Sequence, residues 1–475
     1  MVNGVTATET ELERDIGLLG ATAIGVGTMI AGGIFVLSGL AVANVGAAAA
    51  VSFVLAAVVA SVTALTYAEF ATIYTVDGGG YAYVAEVFDS DWSYLVGWLL
   101  ILGYPASAAF YLASFADWFA RFILPALSLA AALPFWVPGV AVLALLVAIN
   151  FAGAKETGAF QVLVTVLKVA LIGLFLAGGL RAFQGDVVAA SLAANITHVG
   201  DVALTAALVF ITFFGFEAIA TSEGEIRSPE RTVPRAIFLS IGFVTLLYVL
   251  VVVVVVVAIN DADFLTFLAE RVGLQSPDAA TAFLAEHGEA AMARAAQYYL
   301  GDFGFYVFVV GALLSMLSAA NATVLAGSRV KLAMAERGQL PDAVEWVSPR
   351  TGAPTVAVAV TGGLILAFFL LFGVIFGTPP GESASGALVL GLESLAHFAD
   401  FMLLGGLVFV NVALIQSRRT YPDQERLFRV PGVPWVPLIG VGSNLALLAS
   451  LGLTSLALGL LAVVVGAVFW VTVMS

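Results

Sequence analysis

Two glycine-rich stretches interrupt long apolar runs at positions where backbone chemistry could occur. GVGTMIAGGIF, at 25–35, holds four glycines among eleven residues, and ITFFGFEAIATSEGE, at 211–225, places Gly215 between two phenylalanines. Glycine destabilises a helix by roughly 1 kcal/mol relative to alanine. Counted from the cytoplasmic end, Thr28 lies about 16 Å deep and Phe213 about 13 Å deep. Both weak points therefore fall near the middle of a bilayer core roughly 30 Å thick.

Unwound backbone in a bilayer needs polar partners for its N–H and C=O groups. Freed amides at the start of a half-helix favour a carboxylate, and freed carbonyls at the end of another favour an ammonium group. An α-amino acid carries both groups, so these breaks are candidate binding sites. The alternative is that the glycines only allow helices to pack closely.

Lys168 is the third unusual feature, because it stands within the apolar stretch VLVTVLKVALIGLFL. It lies about 14 Å deep, and its side chain reaches only roughly 6 Å, too short to snorkel out. We expect the amine to bind and release a proton inside the helix bundle. Ser318, about 15 Å deep, Ser315, about 20 Å deep, and the carbonyls near Thr28 are candidate partners. The alternative is a structural lysine paired with Glu217 or a carbonyl.

Further ionisable groups lie in predicted spans. Glu217 follows the second break and could cap freed amides or bond to a neighbouring helix. Glu393, His397 and Asp400 are spaced i, i+4 and i+7, so they share one face of a helix. Charged residues rarely face lipid, so this face is expected to point into the bundle. It could form an extracellular gate or a proton access path, or it could be a satisfied polar network.

Composition defines the class of protein. Of 475 residues, 61% are hydrophobic and 11% are charged, whereas soluble domains are about one quarter charged. The sequence therefore predicts a polytopic α-helical membrane protein, and its N-terminus lacks the basic region of a signal peptide. The chain has no cysteine and a net charge of −14. Disulfides and nucleic-acid binding are thus not expected, and the acidic loops suit either a halophilic host or ordinary solubility.

The hydropathy pattern predicts about twelve spans, at 17–41, 44–70, 92–120, 136–154, 159–180, 202–223, 234–258, 302–328, 354–376, 391–416, 431–452 and 455–474. With the N-terminus in the cytoplasm, thirteen Lys and Arg residues lie inside and four outside. This asymmetry predicts that both termini are cytoplasmic. One membrane domain, 1–475, is expected. Its first and sixth spans, which carry the breaks, would lead two five-span halves of opposite topology.

Four segments together resemble the amino acid–polyamine–organocation (APC) superfamily, and most closely its cationic-amino-acid-transporter-like branch. They are GVGTMIAGGIFVLSG, FFGFEAIATSEGEIRSPERTVPRAI, SAANATVLAGSRVKLAMAERGQLP and FRVPGVPWVPLIG. The resemblance runs through nearly the whole chain in order. It implies a leucine-transporter-type fold, with inverted five-helix repeats at 17–180 and 202–416 and two further helices at 431–474. It also implies secondary active transport of amino acids.

The resemblance also assigns site residues. Its substrate contacts correspond to Met29, Ile30, Gly32, Gly33, Phe213, Phe214, Gly215 and Phe216. Family members often have a tyrosine in the second set, so its absence here predicts a wholly apolar gate. In sodium-coupled relatives, the region between the first, fifth and eighth spans resembles a sodium site. An ammonium at Lys168 would replace that cation, as in proton-coupled members, and would hold the first and eighth spans together.

The predicted function is amino acid uptake with protons across the cell membrane by alternating access. An amino acid exchanger and a sodium-coupled symporter on the same fold are the alternatives. No cofactor, metal or obligate protein partner is expected, because the histidines do not cluster and the GGGYAY stretch lacks the Lys-Ser/Thr of a phosphate loop. An intramembrane enzyme or a channel would need a catalytic dyad or a charged ring, and neither pattern is present. The large phenylalanines favour neutral or apolar amino acids.

Overall fold

The computed structural model describes residues 14–31, 33–74, 78–128, 133–286, 288–375, 391–451 and 453–474. Within these ranges the protein is all-α, apart from one isolated β-bridge between Ile16 and Ile226. This agrees with the predicted all-α class.

Ten helices precede the second glycine-rich stretch. They are α1 Leu18–Met29, α2 Gly33–Val45, α3 Ala49–Phe70, α4 Gly80–Ala85, α5 Ser90–Trp118, α6 Leu124–Ala126, α7 Trp136–Ala152, α8 Ala154–Leu180, α9 Gly185–Asn195 and α10 Val199–Phe210. Among the described residues, one more helix lies within that stretch and eight follow it. They are α11 Phe216–Thr221, α12 Pro229–Ile259, α13 Ala262–Val272, α14 Pro277–Glu286, α15 Gly288–Glu336, α16 Thr355–Phe368, α17 Leu392–Thr420, α18 Trp435–Ser450 and α19 Leu453–Phe469.

Long apolar helices establish an integral membrane protein. Among the described residues, eight helical runs are long and apolar enough to cross a bilayer, or nine if the pair α9 and α10, bent by 107°, forms one span. The helices α1, α7 and α18 are apolar but shorter. One run of 38 residues joins α2 to α3. The backbone turns within it at Gly46, whose φ is 54° and which separates α2 from α3, whereas the sequence predicts a boundary between 41 and 44.

The helix α15 extends beyond its predicted span in both directions. Its backbone is non-helical at Gly301, with φ 69° and ψ −165°, and this break matches the predicted start at 302. The helix then continues to Glu336, whereas the sequence predicted an end at 328. Arg329 and Lys331 are therefore buried side chains of a long helix rather than loop charges.

Backbone hydrogen bonds and an ion pair join the ends of several helices. Ile16 N donates to Glu225 O at 2.9 Å, and Arg227 N donates to Ile16 O at 2.9 Å. The side chains of Glu225 and Arg329 form an ion pair with no exposed surface. The residues before α1, the segment after α11 and the end of α15 thus meet in one buried cluster.

A second cluster surrounds Glu69 at the end of α3. Its buried carboxylate accepts bonds from Arg418 Nε at 2.7 Å, Arg418 Nη2 at 2.8 Å and Arg426 Nη1 at 2.8 Å. The backbone N–H of Val430 adds a fourth bond at 2.6 Å. One side chain therefore fixes the end of α17 and the following loop against α3.

Breaking the Glu225–Arg329 pair on one side only is expected to destabilise the protein strongly. Glu225→Leu leaves a buried, unpaired guanidinium, a change that typically costs about 3–5 kcal/mol. The double variant Glu225→Leu/Arg329→Met removes both charges and is expected to melt at a higher temperature than Glu225→Leu. Thermal unfolding of purified protein in detergent measures this. A double variant that melts at or below the temperature of Glu225→Leu would contradict the prediction.

Candidate functional site

The first glycine-rich stretch contains a break in the helix. The helix α1 ends at Met29, and Ile30 has φ −80° and ψ 58°, although its N–H still bonds to Val26 O at 2.9 Å. Ala31 is also non-helical, and α2 begins at Gly33. Gly32, a predicted substrate contact, lies outside the described residues. The helix α1 therefore ends where the sequence predicts unwinding.

The second stretch is broken as well. After α10 ends at Phe210, one 3-10 turn covers Ile211–Phe213, and α11 starts at Phe216. Gly215 has φ 130° and ψ −17°, a conformation that side-chain-bearing residues rarely adopt. Of the predicted set, Phe213, Phe214 and Gly215 lie in the break, whereas Phe216 is already helical.

The two breaks contact each other. A Cβ atom added to Gly215 would lie 2.6 Å from Thr28 Cβ and 2.9 Å from Met29 N. One added to Gly33 would lie 2.5 Å from Thr212 Cγ2. Glycine is therefore required by the close approach of one broken helix to the other. Met29, Ile30, Phe213 and Phe216 are buried, so the structure is closed around this point.

An aromatic wall completes this region, and the sequence did not predict all of it. Tyr248, from α12, donates its hydroxyl to Met29 O at 3.2 Å. Its ring stacks on Phe53 at 4.5 Å and lies 5.8 Å from Phe213. The wholly apolar gate stays a prediction, and Tyr248 places one hydroxyl from another helix near Phe213. No local motif marks Tyr248, which stands in an ordinary apolar run.

Glu217 caps the second break. Its Oε2 accepts a hydrogen bond from Gly215 N at 2.8 Å, and the side chain is buried. This is the first of the two functions that the sequence left open. An acidic group in the first turn of a helix also interacts favourably with the helix dipole. The carboxylate therefore stabilises backbone that the break leaves without a helical partner.

Lys168 lies against the end of α1. Its amine donates to Gly27 O at 2.7 Å, to Ile30 O at 2.9 Å and to Ser318 Oγ at 2.6 Å, and the residue is fully buried. The partners are two carbonyls and a hydroxyl rather than Glu217. A charged lysine has three N–H donors, and three acceptors surround this one. A neutral amine has two N–H groups and a lone pair, so without its proton it can no longer donate to all three, and Ser318, whose hydroxyl also reaches Gly27 O at 3.0 Å, would have to donate instead of accept.

The carbonyl partners of Lys168 belong to the carboxyl end of a helix. The last carbonyls of a helix lack intrahelical donors and carry partial negative charge. A cation there both caps these groups and interacts favourably with the helix dipole. Lys168 therefore joins α8, the break after α1, and α15 through Ser318.

Thr28 and Ser315, the other predicted partners, point elsewhere. The Thr28 hydroxyl donates to Ile24 O at 2.7 Å, and the Ser315 hydroxyl donates to Gly311 O at 2.8 Å. Each bond lies within the residue's own helix. Thr28 instead contacts the second break, and Ser315 contributes its carbonyl, which is 3.3 Å from Ser318 Oγ.

The ionisable face of α17 is placed only in part. Asp400 is buried and His397 is partly exposed. The side chain of Glu393 lies outside the described residues. A gate, a proton access path and a polar network therefore all remain predictions for this face.

Lys331 is a second buried lysine that the sequence analysis did not assign to a site. Its amine donates to Gly327 O at 3.2 Å and to Ile101 O at 3.3 Å. Pro105 lies four residues after Ile101 within α5 and has no N–H, so it cannot bond to that carbonyl. Lys331 thus satisfies a carbonyl that the proline leaves free. Pro105 is visible in the sequence, but its contact with a lysine 226 residues later is not.

Comparisons with known proteins point to one group. A sequence profile described as amino acid permease matches residues 16–474. The chain is 27% identical to the branched-chain amino acid permease BcaP of Bacillus subtilis (strain 168), over 98% of this chain and 94% of that protein. Two further proteins of that strain are similar. The methylthioribose transporter is 27% identical, over 93% and 89% of the two chains, and the serine/threonine exchanger SteT is 26% identical, over 92% and 91%.

Proposed function

Because the chain belongs to the amino acid permease family of the APC superfamily, we propose that it is a proton-coupled amino acid symporter of the cell membrane. It is a membrane transporter rather than an enzyme. The family and the relatives support amino acid transport in general terms. The coupling ion, the direction of transport and the substrate are the parts that we propose.

The proposed architecture is the leucine-transporter type, with repeats 17–180 and 202–416 and two helices in 431–474. The matched breaks after α1 and α10 support it, since interrupted helices in corresponding positions of inverted repeats surround the site in such transporters. Their mutual contact at Gly215 supports it further. The excess of basic residues on one side supports cytoplasmic termini.

We propose that the substrate binds at the two breaks. Its carboxylate would bond to the amides at the start of α2, near Gly33, and its ammonium group to carbonyls at the end of the 3-10 turn Ile211–Phe213. Its side chain would lie beside Phe214 and Tyr248, which favours a neutral, apolar amino acid. The description of BcaP as a branched-chain amino acid permease supports this class.

The observation that carries proton coupling is the set of three acceptors around Lys168. When charged, the amine fills all three and holds the break after α1 to α8 and α15. When the proton leaves, the amine keeps two N–H donors, Ser318 must donate rather than accept, and the stronger bonds of the charged group to the end of α1 are lost, so the joint weakens. Proton binding is thereby linked to the position of α1, which is what coupled alternating access requires.

Transport assays on the purified protein in liposomes test this proposal. With an inside-alkaline pH gradient, radiolabelled L-leucine is expected to accumulate above its external concentration, and a protonophore is expected to abolish the accumulation. Equal accumulation of L-leucine with and without a sodium gradient would support the proton, rather than sodium, as the coupling ion. Absence of pH-driven accumulation of any of the twenty amino acids would contradict the proposal.

An exchanger is the second candidate, and the similarity to SteT favours it. An exchanger moves substrate only when counter-substrate is present on the other side. Liposomes preloaded with L-leucine are expected to show no more than about twofold faster uptake if the protein is a symporter. Uptake that requires preloading would select the exchanger.

A further inference from the structure

A chain of buried amide side chains runs from α7 to α1 through α15 and α8. Asn150 Nδ2 donates to Asn321 Oδ1 at 3.1 Å, and Asn321 Nδ2 donates to Gln161 Oε1 at 2.9 Å. Gln161 Nε2 then donates to the backbone carbonyl of Ala23 at 3.4 Å. All three side chains are fully buried. The chain lies two turns from Lys168 along α8, toward the predicted cytoplasmic end.

The direction of this chain is set at α1. A backbone carbonyl only accepts hydrogen bonds, so Gln161 must present its NH₂ group to Ala23. Its oxygen then faces Asn321, which must donate in turn and accept from Asn150. The orientation of each amide group thus determines the orientation of the next. The ordered hydrogen bonds extend from α1, which ends in a break, through α8 to α15 and α7.

The contact between Gln161 and α1 is unusually close. A Cβ atom at Gly27 would lie 2.0 Å from Gln161 Nε2, so glycine is needed there for α1 to rest on the amide. Thr165, one turn further along α8, also donates to Ala23 O at 3.2 Å. The 3.4 Å bond of Gln161 is long for an N–H···O bond, and Gln161 shares this carbonyl with Thr165.

We propose that Gln161 is a latch that holds the inner half of α1 against α8, and that Asn321 and Asn150 orient its amide. Gln161 is a positioning residue, because it contacts neither the two breaks nor the amine of Lys168. The inference rests on the proposed function only in requiring that α1 moves during transport. It does not depend on which ion is coupled.

Site-directed labelling tests the latch. The chain has no cysteine, so Ile24→Cys provides a single thiol on α1 that is buried in this conformation. A membrane-impermeant maleimide is applied to the cytoplasmic face of inside-out vesicles. In this background, Gln161→Leu is expected to raise the labelling rate at least about threefold, since the inner half of α1 separates from α8 more often.

Thr157→Val is the matched control. Thr157 is buried one turn from Gln161 on α8, and its hydroxyl bonds to Ile149 O and Gly153 O rather than to α1. Its replacement is expected to leave the labelling rate within about twofold of the parent rate. Asn321→Leu, which removes the group that orients Gln161, is expected to raise the rate by less than Gln161→Leu does. It replaces Gln161→Leu as the test if that variant does not fold.

Two outcomes separate the latch from the function on which it rests. If L-leucine and pH never change labelling of the parent Ile24→Cys protein, α1 does not move and the proposed transport cycle is wrong. If labelling responds to them but neither Gln161→Leu nor Asn321→Leu accelerates it, the latch alone is overturned.

Discussion

Uptake driven by a pH gradient is expected to fall at least about tenfold when Lys168 is replaced by methionine. Methionine fills a similar volume but donates no hydrogen bond, so Gly27 O, Ile30 O and Ser318 lose their common partner. Hydrogen bonds of a charged group contribute about 1.5–3 kcal/mol each, and about 1.4 kcal/mol corresponds to a tenfold change. Proteoliposome uptake of L-leucine with an imposed pH gradient measures the effect.

Lys155→Met is the control for this experiment. Lys155 is on the same helix, but its side chain is exposed, so the change removes a lysine without touching α1. It is expected to transport at close to the normal rate. If Lys168→Met still accumulates L-leucine in response to the pH gradient, proton coupling through this amine is wrong.

Alanine at Gly215 is expected to eliminate transport and to lower thermal stability. The added Cβ would lie within 3 Å of Thr28 and Met29 N, and the backbone φ of 130° is strained for any residue with a side chain. Such strain alone costs about 1–3 kcal/mol. Both the contact between the breaks and the cap from Glu217 would shift. Uptake assays and thermal unfolding in detergent measure the two effects.

Gly173→Ala separates this local effect from the general effect of replacing glycine in a helix. Gly173 lies in α8, and an added Cβ there meets no atom within 4 Å. It is expected to keep transport and to stabilise the helix slightly, by up to about 1 kcal/mol. A Gly215→Ala protein that transports at the same rate as Gly173→Ala would show that the breaks need not touch.

The class of fold and the positions of the breaks could be predicted because both depend on local sequence. Apolar runs of bilayer length and clusters of glycine are visible without knowing any long-range contact. Depth counting also placed Lys168 level with Ser318, since a rise of 1.5 Å per residue is common to all helices. The same counting could not show which way a side chain points, so it also proposed Ser315 and Thr28.

The contacts that sequence reasoning missed join helices far apart in the chain. Tyr248 reaches Met29 O, and Lys331 reaches Ile101 O, from positions with no local signal. The hydrogen-bonded amides of Gln161, Asn321 and Asn150 also join helices that are far apart in the chain. From the sequence alone, Gln161 is a single polar residue in an apolar span. Its hydrogen-bond partners can be identified only when the neighbouring helices are known. Helix packing, rather than helix formation, is therefore the step that the sequence left open.

The carboxylate of Glu69 has a consequence for how the chain is inserted during synthesis. Its arginine partners follow 349 and 357 residues later, so this acid is synthesised long before the two residues that neutralise it. Until then the carboxylate at the end of α3 has no arginine partner, which favours a position near the membrane–water interface. Final assembly of the first half of the bundle would thus await the synthesis of α17 and of the loop that follows it.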